Sequence, residues 1–98
     1  MHVVFLEFAE NKAMAKDFMA GHVAWLKKGF QEEKFLLSGS LEEGRGGAIL
    51  AKDMPKSEIE NIINEDPFVK EGIVKATITE FSPGIADERL SFLTPAAA

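Results

Sequence analysis

His2-Val3-Val4-Phe5-Leu6-Glu7-Phe8-Ala9 is the stretch on which the fold turns. It is rich in β-branched and aromatic residues and too short for a typical helix, so it reads as a strand. Val4, Leu6 and Phe8 share one face, while Val3, Phe5 and Glu7 share the other. Both faces are largely apolar, so this strand is expected to be covered on two sides, and something must cover the second.

Downstream, Asn11 is placed to cap a long helix running from Lys12 to about Lys34. Met14, Phe18, His22, Leu26 and Phe30 recur in it at fourfold spacing, and Trp25 joins them at i+3. Gly29 sits inside this helix and weakens its last turn by about 1 kcal/mol relative to Ala. Lys34 to Leu41 reads as a second strand and Ala48 to Lys52 as a third. Glu42 to Gly46 supplies the turn chemistry that makes them a hairpin.

Ser57 followed by Glu60 has capping-box spacing, and Ile59, Ile62 and Ile63 then form one stripe of a short helix to about Glu65. Pro67 ends it. A last strand covers about Gly72 to Phe81, with Val74, Ala76 and Ile78 on one face.

The order is βαββαβ. With right-handed crossovers it predicts an α+β, ferredoxin-like fold, a four-stranded antiparallel sheet with two helices on one face. The other face stays bare and largely apolar, which predicts a homodimer formed face to face. Residues 1–82 are expected to form one domain. The tail, residues 83–98, holds Ile85, Leu90, Phe92 and Leu93, too apolar for a solvated end. Packing on the partner subunit and packing back on its own are both open, and Ala96–Ala98 is expected to fray.

The chain has 98 residues, 46% hydrophobic and 28% charged, enough for one core and no more. Its net charge of -5 leaves no cationic excess to neutralise phosphates, so nucleic acid is not an expected partner. No apolar run approaches the roughly 20 residues of a membrane span, and the start lacks a leader pattern, so a cytoplasmic protein is expected. Cysteine and tyrosine are absent, which excludes disulfides and thiolate chemistry and leaves acid/base work to His, Asp, Glu, Lys, Ser or Thr.

His22 lies within the apolar stripe, away from Lys27 and Lys28, so its ring should face the sheet. There it needs a hydrogen-bond partner, and a carboxylate is the natural one. A core histidine satisfied by a carbonyl or a water fits the spacing equally well. Asp66 precedes Pro67, and Asp66 to Gly72 reads as a capped short turn, with Asp as N-cap, Pro at the first helical position and Gly at the end. A capping aspartate can still offer an oxygen to a histidine.

His2, at the start of a strand, reads as a partly exposed surface residue. The two histidines make no metal-binding pattern, and neither metal nor cofactor is expected. Ser38-Gly39-Ser40 could bring backbone close to a ligand, Gly46-Gly47 could do likewise, and Phe18, Trp25 and Phe30 could line a pocket. Turn glycines and ordinary core aromatics are the plainer readings.

His22-Val23-Ala24-Trp25-Leu26, Phe35-Leu36-Leu37-Ser38-Gly39 and Asp66-Pro67-Phe68-Val69-Lys70-Glu71-Gly72 together resemble the landmarks of the YciI-related (YCII) family, in order and spacing, over Met1 to Phe81. The resemblance implies a dimeric α+β barrel and a cleft between sheet and helices. It also implies an acid/base dyad, mapped onto His22 and Asp66, and kinship to enzymes acting on cyclic or aromatic metabolites. A relative eliminates chloride from a chlorinated hydroxyquinol. The chain departs from better-known members in its short Leu41 to Gly47 connection and its longer tail. The expected function is therefore a cofactor-free elimination or isomerisation of a small molecule, with His22 as base or acid and Asp66 orienting it. Phe18, Trp25, Ser38, Gly39 and Phe68 would contact the substrate. The alternative is a non-catalytic ligand-binding or accessory interaction module of the same fold.

Overall fold

The computed structural model describes residues 1–94, and the expected fraying of Ala96–Ala98 lies outside them. β1 (His2–Phe8), the strand that is apolar on both faces, is an interior strand of a four-stranded sheet. β3 (Gly46–Ala51) pairs antiparallel with one of its edges and β4 (Val74–Glu80) with the other. β2 (Phe35–Leu41) pairs antiparallel with β3, giving the order β2-β3-β1-β4. This is the ferredoxin-like α+β arrangement that the element order predicts.

α1 (Ala15–Gln31) and α2 (Lys56–Asn64) pack on one side of the sheet, where Val4, Leu6, Ile49 and Ala51 meet Trp25, Phe35, Ile59 and Ile63. A single helical turn, α3 (Pro67–Lys70), joins α2 to β4. No helix among the described residues is long and apolar enough to cross a membrane.

Gly29 does more than weaken a helix. It is buried, and a Cβ there would stand 2.2 Å from two ring carbons of Phe35. The missing side chain lets β2 begin directly against α1. Gly46, with φ 137°, opens β3 where a Cβ would lie 2.0 Å from the Leu6 carbonyl oxygen, so only glycine fits that approach.

Four local expectations are corrected. Asn11 does not cap α1; a 3-10 turn at Lys12–Met14 precedes the helix, and the Asn11 amide donates instead to the Glu71 carbonyl at 2.8 Å. α2 starts at Lys56 behind Pro55, two residues too early for Ser57 to cap it, and no side-chain cap forms. Phe30, at the C-terminal end of the stripe, is 40% exposed. His2 is fully buried, because its Nε2–H donates to the Met54 carbonyl at 2.9 Å.

Candidate functional site

Asp66 takes an extended backbone ahead of Pro67, as the residue before a proline must, and its side chain caps α3 by accepting from Phe68 N–H at 3.0 Å. The same Oδ1 accepts from His22 Nδ1 at 2.9 Å. Asp66 is completely buried, and its Oδ2 has no hydrogen-bond partner among the described residues. Pro67 packs close to Gly21, one residue before the histidine, which brings α3 against the middle of α1.

The imidazole is held on its face as well as its edge. Phe68 stacks parallel to it, with centroids 4.1 Å apart and planes within 4°. Trp25 stacks at 5.8 Å and is itself fixed by an Nε1–H bond of 2.9 Å to the Ile62 carbonyl. With Nδ1 committed to Asp66, Nε2 is the free ring nitrogen. It has no partner among the described residues and is not sealed from solvent.

His22 lines a cleft of about 310 Å³ between α1 and the sheet. Met19 and Leu26 flank it on α1, Phe68 comes from α3, and Leu6, Phe8, Ile49 and Val74 form an apolar floor. The far wall is Ser38, Gly39 and Ser40 on β2 against Gly46 and Gly47 on β3. Among the described residues, His22 is the only ionisable side chain in this lining.

Of the predicted site residues, the structure brings together His22, Asp66, Phe68, Ser38 and Gly39. Phe68 serves as a support for the imidazole as much as a wall. Trp25 is buried behind the ring and Phe18 packs against the core, so neither lines the cleft. Ser40, which the twofold period of a strand puts on the same face as Ser38, joins Ser38 and Gly39 in the wall. Gly47, of the Gly46-Gly47 pair, stands opposite it in the same wall.

Among the described residues one other group of potential ligands, His2, Asp53 and Glu80, has its ligand atoms within 4.8 Å of one another. It suits a cation poorly. The His2 Nε2–H is spent on Met54, and the Met1 ammonium sits 3.5 Å from Asp53.

Among solved structures, the chain is similar to 5-chloro-2-hydroxyhydroquinone dehydrochlorinase (TftG) from Burkholderia phenoliruptrix AC1100 in complex with 2,5-dihydroxybenzoquinone. The TM-score is 0.68 at 17% identity, covering 86% of this chain and 96% of that one, a likeness of fold. None of the curated proteins matches. Residues 1–82 match the YCII-related domain, which takes in the whole sheet, all three helices and the His22–Asp66 pair, and on that match the chain belongs to the YCII-related family.

Proposed function

We propose that this protein is a small-molecule enzyme in which His22 Nε2 exchanges a proton with a ligand held in the cleft, while Asp66 fixes the ring through Nδ1. The observation that carries this reading is that the cleft has one ionisable wall residue among the described residues, and that residue is held through Nδ1 on a buried carboxylate, which leaves its Nε2 for a ligand. A single positioned imidazole suits elimination or isomerisation: it takes a proton at one position of the substrate, and the electron pair expels a leaving group or shifts a double bond. The dehydrochlorinase activity of the similar structure makes 5-chloro-2-hydroxyhydroquinone the first substrate to try, with chloride release as the signal. His22→Ala should lower turnover by about 10²–10⁴-fold with the fold intact. Undiminished turnover in that variant refutes the role.

A second reading is favoured by the complete burial of Asp66 and its cap on α3. In it the pair ties α3 to α1 in a non-catalytic binding module, and its loss shows in stability with no turnover to lose.

We further propose that two copies pair through the open sheet face, where Leu37, 64% exposed, lies beside Leu50 and Val3 of the neighbouring strands. The sedimentation coefficient of the wild type across a concentration series reads this directly.

A further inference from the structure

We propose that Ser38 and Ser40 select the ligand, by recognising neutral oxygen substituents on the side of the molecule facing away from His22. This inference rests on the cleft being the ligand site.

The register sets the geometry. Ser38 pairs with Ile49 and Ser40 with Gly47, and the partners of those two on β1 are Val4 and Leu6, which face the helices. Both hydroxyls therefore point to the cleft side of β2, about 6.5–7 Å apart as alternate residues of a strand are. Neither makes a side-chain hydrogen bond among the described residues, so both are free to donate and to accept. β2 is the edge of the sheet, with β3 on one side only, so the serines stand at the cleft mouth.

Their surroundings make the polarity informative. The floor and the α1 side are apolar apart from His22, and among the described residues the lining carries no lysine or arginine, the side chains that hold carboxylates and phosphates. Hydroxyls that both give and accept hydrogen bonds match alcohol, phenol or carbonyl oxygens. Gly47 leaves the space opposite Ser40 empty: a Cβ there would meet only the Gly39 carbonyl oxygen, at 3.2 Å. The wall thus fits a ligand with an apolar body, stacked in the cleft, and two uncharged oxygens at one edge.

The test uses two probes of equal ring size, resorcinol and toluene, titrated into the full-length protein and followed by amide shifts of cleft residues. The wild type should bind resorcinol more tightly than toluene. In Ser38→Ala/Ser40→Ala the resorcinol affinity should fall by roughly 10–100-fold, two hydrogen bonds at about 0.5–1.5 kcal/mol each, with toluene unchanged. Gly47→Val, which fills the cleft from a strand position, should weaken both. Equal affinity for the two probes in the wild type, or resorcinol binding that survives loss of both hydroxyls, overturns the selection while leaving the cleft as the ligand site. If neither probe moves the cleft residues, or Gly47→Val binds both as the wild type does, the cleft reading falls and this inference with it.

Discussion

Replacing Asp66 by alanine separates a structural tie from a catalytic one. Three terms enter. Phe68 N–H loses its cap acceptor, about 1 kcal/mol. His22 Nδ1 loses a 2.9 Å bond to a carboxylate, about 1.5–3 kcal/mol for a bond to a charged group. Against these, a buried carboxylate whose Oδ2 lacks a partner is removed, returning on the order of 1–3 kcal/mol. The balance is a loss of about 1 kcal/mol, a fall in Tm of roughly 4–8 °C for a chain of this size. Asp66→Asn keeps an oxygen for both bonds but puts an amide NH₂ at the Oδ2 position, and should lose less. Urea unfolding of wild type, Asp66→Ala, His22→Ala and the double variant, at one protein concentration, should give a coupling of about 1–2 kcal/mol. Additivity within about 0.3 kcal/mol, or an Asp66→Ala variant that unfolds with the wild type, refutes the energetic tie.

Helix propensity alone says Gly29→Ala should stabilise by about 1 kcal/mol, but Phe35 occupies the space, so a net loss of about 1–2 kcal/mol is expected by thermal melting; restoration by Phe35→Leu in the same chain would identify the cause. Leu37→Lys places a charge on the open sheet face and should convert a dimer to monomer in sedimentation without lowering the Tm of the monomer; an unaltered sedimentation profile would move the interface elsewhere. The Arg89 side chain and backbone N–H, each 2.9 Å from Asp87 Oδ1, hold that carboxyl below its ordinary value of 3.8. A depressed carboxyl stabilises above its unfolded pKa and loses that contribution as pH falls through the folded one, so the Arg89 amide shift should titrate with a midpoint below 3.8, and a midpoint above it would refute the pairing.

Where neighbours in sequence set the structure, the sequence was readable. The twofold period of β1, the turn residues between β2 and β3, and Asp66-Pro67 ahead of an apolar pair each carry their own geometry. The pairing of His22 with Asp66 spans 44 residues, and it was legible only because a histidine in an apolar stripe needs a partner and a capping carboxylate has a spare acceptor site. His2 misled for the opposite reason: its partner is a backbone carbonyl 52 residues away, which no side-chain pattern marks. Gly29 shows in sequence only its local propensity cost, while its use is set by a ring arriving from the next element. The family match adds what periodicity could not, that residues 1–82 as a whole fit the YCII-related domain.

Phe68 donates its backbone N–H to Asp66 and lays its ring on His22, so one residue of a four-residue turn touches both members of the pair. The aim of the imidazole therefore lasts only as long as that turn stays shut. Short helical turns belong to the least protected parts of a fold and open far more often than the whole chain unfolds. Each opening of α3 would release the carboxylate and the stacking ring in one event. The exchange rate of the Phe68 amide with solvent deuterium then becomes a clock for the site: it counts how often His22 is set free to turn.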